Sequence, residues 1–300
     1  MDRYSIQSRP SPFTPKNCGM LALRGGVFAL ALAFWSLPGN SGEKPGEKRG
    51  EPWPATVHAR YSLRYNGITV GHLDMNSSTS ATTYSLAGSV KVSVLFGAFT
   101  WAASANVSGA IEGGIPAATS YAFDWQQKKK GGTIRMGFKD HVATDVAVEP
   151  PPRPRADTVP LTPAHKIGAF DPMSAVMMLT KADNRPPCDR RVSIFDGKQR
   201  YDIVLTPKRT TSLASATGGG SEAAYVCRMM YEPVAGHRDN ADTKAYAANR
   251  DAEVVLRRIP GSEMLIPYSI NIPTSWGTGT MVTERIDVVT AGAGKIALTN

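Results

Sequence analysis

Cysteine is scarce in this chain, with three in 300 residues, and neither Cys188 nor Cys227 has a histidine or a second cysteine at zinc-ligand spacing. The five histidines (His58, His72, His141, His165 and His237) lie far apart, so no metal site is expected. There is no Gly-x-Ser-x-Gly elbow, no His-Glu-x-x-His and no phosphate loop ending in Lys-Ser/Thr. Gly218-Gly219-Gly220-Ser221 sits among Ala, Ser and Thr and reads as a flexible loop. No catalytic set assembles from these residues, and no cofactor is implied. Asp196 and Asp202 are the nearest thing to paired acids, but Asp196 has a turn role and Asp202 is expected to face outward.

Single-sign charge is also thin. The net charge is +9, of which the first 53 residues, with seven Lys/Arg and four Asp/Glu, carry +3. The densest basic run, Lys128-Lys129-Lys130 beside Gly131-Gly132, reads as a solvated hairpin tip. A nucleic-acid surface would need more basic residues on one face, interleaved with aromatics. Contact with anionic lipid head groups stays open.

What is present begins with a targeting segment, residues 1–37. Arg24 precedes an apolar run, Val27 to Leu37, too short for a comfortable bilayer span of about 20 residues but suited to a secretory signal. A cleaved signal and an uncleaved inner-membrane anchor both satisfy the pattern, and either Met1 or Met20 serves as its start. Cys18 precedes the run, so it is no lipobox. Residues 38–53 are Pro, Gly and charge, a flexible linker. Export to the periplasm changes the cysteine arithmetic. Cys188 and Cys227 become an even pair in an oxidising compartment, expected as a disulfide that staples two neighbouring strands. Two independent buried thiols are the alternative.

Residues 54–300 read as a single β-rich domain. Ala59, Tyr61, Leu63 and Tyr65 alternate with Arg60, Ser62 and Arg64, and Asn66-Gly67 then supplies a tight hairpin turn. Alternation resumes in Ile68–Met75, Thr82–Leu95, Ala98–Ile111, Thr119–Gln126, Thr133–Phe138 and Val142–Val148. Glu149 to Pro163 holds six prolines and is an extended loop. A second hairpin is centred on Asp196-Gly197, with Val192 and Ile194 before it and Tyr201, Ile203 and Leu205 after it. Strand-like runs close the chain at Val254–Ile259, Leu265–Ile272 and Thr280–Val289, while Gly236 to Arg250 is polar and without assignment.

Helix signals are confined to one place. Asp171 caps free N–H groups and Pro172 is preorganised at the first helical position, opening a helix to about Ala182. Met173, Val176, Met177 and Leu179 are its apolar residues. Many strands and one short covering helix give a mainly β fold, a large curled antiparallel sheet in the form of a β-spiral or open barrel.

Several short patterns occur in order: Tyr61-x-Leu63-x-Tyr65-Asn66-Gly67 with Val70-Gly71, then Gly168-Ala169-Phe170-Asp171-Pro172, then Cys188 with Phe195-Asp196-Gly197-Lys198-x-Arg200-Tyr201-Asp202, then Cys227 and Tyr231-x-Pro233-x-Ala235-Gly236. In this the chain resembles, over roughly residues 57–290, a domain-of-unknown-function family of exported proteobacterial envelope proteins. The stretch Arg238–Arg250 departs from the pattern as an insert. The family is not characterised as enzymatic. It is similar in architecture to periplasmic β-spiral envelope-integrity proteins and to open-barrel lipoprotein carriers, which hold acyl chains on a concave sheet face. The resemblance transfers no binding residues.

The resulting expectation is an exported, non-enzymatic envelope protein whose concave sheet binds a lipid, a lipoprotein or a peptidoglycan-associated partner. Met173, Val176, Met177 and Leu179 would face the ligand. The alternatives are a scaffold for another envelope protein without a ligand pocket and, behind it, an envelope hydrolase. Membrane association, peripheral or through the N-terminal segment, fits the same picture. Residues 1–53 fused to a reporter active only outside the cytoplasm should give an active reporter, and a well-expressed but silent fusion would remove the compartment argument.

Overall fold

The computed structural model describes residues 53–94, 97–181, 185–215, 219–260, 262, 264–290 and 294–299. The targeting segment and almost all of the linker therefore lie outside the described residues. All described residues belong to one compact unit, Lys48–Asn300.

Two meanders make up the fold. The first is β1 (Thr56–Tyr65), β2 (Ile68–Thr79), β3 (Thr83–Val94), β4 (Phe99–Glu112), β5 (Ile115–Gln127), β6 (Lys130–Lys139) and β7 (Val142–Glu149). The second is β8 (Arg190–Phe195), β9 (Arg200–Ala214), β10 (Ser221–Ala235), β11 (Glu253–Arg258), β12 (Leu265–Thr274) and β13 (Gly277–Thr290), with β14 (Gly294–Thr299) added at its end. Within each meander neighbours in sequence pair antiparallel, and β1 pairing with β13 joins the two into one 14-stranded sheet. Alternation sets the inward rows. Val57–Ser77–Leu86–Val107–Tyr121–Met136 and Ala59–Met75–Gly88–Ala105–Phe123–Ile134 run across six strands on the concave face.

The sheet curls until its two edge strands, β7 and β8, approach each other. The segment between them stitches the gap. Ile167 bridges to Val142 on β7, and Gly168 N donates to His141 O at 2.9 Å. Phe170 bridges to Ile194 on β8, its N–H donating to Ser193 O at 2.8 Å while its carbonyl accepts from Phe195 N at 2.9 Å. Phe195 packs in one cluster with Tyr121, Ile134 and Met136 of the far meander. Gly197 in the β8–β9 turn has φ +94°, and a Cβ there would lie 2.6 Å from Ile134 Cγ2. The turn thus needs glycine for conformation and for closeness, and the sheet is a nearly closed barrel.

The helix α1 (Pro172–Thr180) follows the stitch at once. Asp171 Oδ1 accepts from Met173 N at 2.9 Å and Ser174 N at 3.0 Å. At the other end Thr180 Oγ1 donates back to Val176 O at 2.8 Å, and Lys181 turns extended. Lys181 Nζ then ties the end to Gly114 O, 2.7 Å away in the β4–β5 turn. A second helix, α2 (Ala241–Ala248), occupies the polar stretch left unassigned from sequence and has no buried residue. Beside it Arg238 donates to both Asp157 oxygens, at 2.8–3.2 Å, holding the proline-rich loop.

Cys188 and Cys227 form a disulfide with Cα atoms 5.2 Å apart. The strands it relates are not neighbours, in correction of the sequence expectation. Cys188 precedes β8, Cys227 lies on β10, and β9 pairs with both strands. The chain before β8 folds over the sheet face to reach Cys227, where Leu205, Val254, Leu256 and Leu265 surround the bridge. Register in a hairpin says which strands pair, and says nothing of a loop lying across them. Asp202 lies on the face opposite Tyr201 and Ile203, and its neighbours cover it there. It is 9 % exposed, held by Arg200 at 2.6 Å and Arg191 at 2.7 Å, with Ser193 Oγ donating at 3.1 Å. Partial burial pulls its carboxyl upward, but those donors hold it below the usual range.

Thiol labelling under denaturing, non-reducing conditions should leave Cys188 and Cys227 unmodified. Cys227→Ser should cost on the order of 2–5 kcal/mol in denaturant melts. Free labelling of both thiols in protein recovered from an oxidising compartment would contradict the bridge.

Candidate functional site

Inside the barrel, α1 faces the strands of the β1 junction across a space that side chains do not fill. The cavity measures ≈ 230 Å³. Its walls are almost wholly apolar: Val57, Ala59 and Tyr61 from β1, Leu73 and Met75 from β2, Leu86 from β3, Ile266, Pro267 and Ile270 from β12, and Met281 from β13. Trp53, Pro54 and Met264 complete them, and Asn76, Ser77 and Thr79 supply a polar margin.

The helix gives this cavity three residues, Met173, Val176 and Met177. Their positions follow from helical spacing, since residues three or four apart share a face. Met173 reaches β3 because Gly88 has no side chain; a Cβ there would come 3.2 Å from Met173 Cε. Met177 is 4 % exposed and also belongs to the packed cluster with Tyr84, Val107 and Phe195, so it is at once wall and core. Leu179 points elsewhere, packing against the disulfide cluster and against Val192 and Ile194. A nine-residue helix turns through more than one face, and Leu179 is on the other.

The interior is closed at the α1 end and more open at the opposite end. Tyr84, Leu86, Val107 and Tyr121, nearest the helix, are buried. Val90, Val92, Trp101 and Trp125, further along the same inward rows, are only half-buried. Sequence alternation marks every one of these residues as inward-facing. It carries no signal for where the filling stops, because that depends on how far the helix reaches.

Polar groups near the helix serve structure. Asp171 is wholly buried; its Oδ1 caps α1, and its Oδ2 has no partner among the described residues. The Ser174 and Tyr84 hydroxyls lie 2.6 Å apart. Asp196 Oδ1 accepts from Lys198 N at 2.8 Å and Gln199 N at 2.7 Å, closing the β8–β9 turn. Burial pushes both carboxyls above the usual range. It pushes the phenols of Tyr61, Tyr84, Tyr121 and Tyr201 up as well, so those four hydroxyls keep their protons. Among the described residues, no three His, Cys, Asp or Glu side chains are placed to hold a metal, and no helix is long and apolar enough to cross a membrane.

The model of a family described as "Protein of unknown function (DUF3108)" matches residues 60–284. No curated protein matches the chain. Among solved structures, the crystal structure of a beta-barrel-like protein of domain of unknown function DUF1849 from Brucella abortus is similar at 10% identity and a TM-score of 0.49, covering 80% of this chain and 99% of that one.

The buried Asp171 gives stability a pH dependence of definite sign. Its folded pKa lies above its unfolded value, so its contribution is full below the unfolded carboxyl range and is lost as pH rises through the folded pKa. Asp171→Asn keeps the capping oxygen and removes the charge. As pH rises above the unfolded carboxyl range, about pH 4, the melting temperature of the variant should gain on that of the parent. A difference that does not change with pH would contradict this.

Proposed function

The chain belongs to the DUF3108 family of proteins of unknown function, and on that premise we propose that it is an exported, non-catalytic envelope protein that holds an acyl chain, of a lipid or a lipidated partner, inside its barrel. One observation carries this reading, the apolar cavity of ≈ 230 Å³ between α1 and the β1 junction. Engineered apolar cavities of about 150 Å³ stay dry and take up benzene, so a space of this kind favours an apolar guest over water. Each methylene moved into it gains roughly 0.8 kcal/mol. Five methionines, Met75, Met173, Met177, Met264 and Met281, stand in the wall, and thioethers adapt to irregular apolar shapes. Ser77 at the margin offers a hydrogen bond to the polar end of such a ligand, while Asn76 is bonded to His58 and the Thr79 hydroxyl to Pro54 O. The disulfide supports export, since such bonds persist in oxidising compartments.

Met177 is too well packed to report on binding. Met177→Ala should cost about 2–5 kcal/mol of stability through the space it leaves. Val176 is half-buried at the cavity wall, and Val176→Phe fills the space. The parent should bind an environment-sensitive fluorescent fatty acid, and Val176→Phe should bind it at least about tenfold more weakly at a nearly unchanged melting temperature. Absence of binding by the parent, or equal binding by the variant, would sink the carrier reading.

A further inference from the structure

Four hairpin tips gather at the end of the barrel away from α1: those joining β1 to β2, β3 to β4, β5 to β6 and β12 to β13. Antiparallel order sends alternate turns to opposite ends. Register makes these four level, with Tyr65 opposite both Ile68 and Gly279, Gly71 opposite Val92, Val94 opposite Phe99 and Ala102 opposite Gln126. They are successive tips along the sheet, roughly 10 Å apart at two strand spacings each.

What they carry is unusual for turns. Trp276 is 84 % exposed, Ile68 72 %, Tyr65 42 % and Phe99 39 %. Turns ordinarily take Gly, Asn, Asp, Ser or Pro, and here the largest apolar side chains stand beside such residues. Two of the tips are locked together. Tyr65 Oη donates to Trp276 O at 2.6 Å, Asn66 N to Thr278 O at 2.9 Å, and Thr278 N to Asn66 Oδ1 at 2.8 Å. The tips that carry Tyr65, Ile68 and Trp276 are therefore held to one another by backbone and side-chain bonds.

The tips themselves carry charge of one sign, while Asp242, Arg250 and Asp251 line the groove that Trp276 shares with α2. Lys128, Lys129 and Lys130 are exposed at the β5–β6 tip, and Arg64 is exposed on β1. Residues 61–71, 92–102, 125–132 and 272–280, which span the four tips, contain no Asp or Glu.

We propose that this rim docks on the surface of an anionic phospholipid bilayer, with Trp276, Ile68, Tyr65 and Phe99 in the interfacial layer and Lys128–Lys130 against head-group phosphates. Tryptophan and tyrosine favour the boundary between head groups and acyl chains, where one end of the ring is apolar and the other wet. Apolar side chains flanked by lysines are the composition of an interfacial anchor. A protein partner would want a contiguous apolar centre ringed by polar groups. The rim offers separate fingers along an arc, which suits a soft surface that fills between them. The proposal stands apart from the cavity: vesicle binding can fail while the fatty-acid probe binds, and the reverse.

The test uses the full chain with unilamellar vesicles of phosphatidylcholine and phosphatidylglycerol, against phosphatidylcholine alone. Residues 27–37 form an apolar run with its own affinity for lipid, so the readout must be local. Quenching of tryptophan fluorescence by bromine-labelled acyl chains should be larger in the parent than in Trp276→Phe, by the share due to Trp276. In vesicle sedimentation, Trp276→Ser/Ile68→Ser should bind at least about tenfold more weakly. Lys128→Glu/Lys129→Glu/Lys130→Glu should lose about a hundredfold on anionic vesicles, and salt should weaken the parent. All these positions are exposed, and a melting temperature close to the parent's separates lost docking from lost folding. Equal quenching in parent and Trp276→Phe would overturn the proposal, as would variants that bind like the parent, or equal binding to both vesicle types. Self-association that Trp276→Ser abolishes, without vesicle binding, would assign the rim to a second copy of the chain and overturn it too.

Discussion

Three backbone hydrogen bonds hold the architecture shut. Gly168 N to His141 O fastens the stitch to β7, and the two bonds of Phe170 fasten it to β8. Without them a curled sheet of this width would present two long edges, each a row of unpaired donors and acceptors open to other chains. A fold that closed by direct β7–β8 pairing would leave no place for the helix. Closing through a linker lets the next residue, Asp171, start α1 inside the barrel mouth. The stitch therefore fixes where the helix enters, and the helix fixes how much of the interior is filled.

The filling is uneven for a reason that can be read from side-chain size. On one side, Tyr84, Tyr121, Ile134 and Met136 of the first meander and Phe195 of β8 pack in one cluster with Met177 of the helix. On the β1–β2 side the inward rows hold Val57 and Ala59, side chains too small to span the distance to the helix. The space left there is the cavity. Close packing is the rule in protein interiors, and a gap of this size costs dispersion contacts along its whole wall. An apolar guest restores those contacts, which is why cavity and carrier function belong to one argument.

Much of this was legible in the residues. Asn66-Gly67 and Asp196-Gly197 marked two hairpins because few sequences take φ > 0 in a tight turn. Asp171-Pro172 marked α1, because an acceptor followed by proline suits only a helix start. Met173, Val176 and Met177 could be placed on an inner face by spacing, whereas Leu179, two residues and about 200° beyond Met177, went to the other side. The cavity wall across β12 and β13 was not legible, since nothing local tells Met281 that it will face α1. The disulfide's partners were legible from counting, but its path over β9 depends on a loop that obeys no period. β14 is six residues with only Ile296 and Leu298 inward, too short a pattern to stand out. Asp202 shows a related limit, since arginines from positions 191 and 200 cover an outward side chain and give it a buried surrounding.

The pairing of β1 with β13 has a consequence in time. Every other neighbour in the sheet path is a neighbour in sequence, so each meander can form soon after it is made. Thr56 meets Val289 only when almost the whole chain exists, and until then the outer edge of β1 has no partner. Chains are delivered N-terminus first, which exposes that edge for most of synthesis. The strand is placed to limit the harm. Arg60 and Arg64 stand on its solvent face, and charged side chains on a waiting edge discourage pairing with a second chain. The slow step of assembly is then the arrival of the last strands, and the apolar interior comes into being as a space only at that moment.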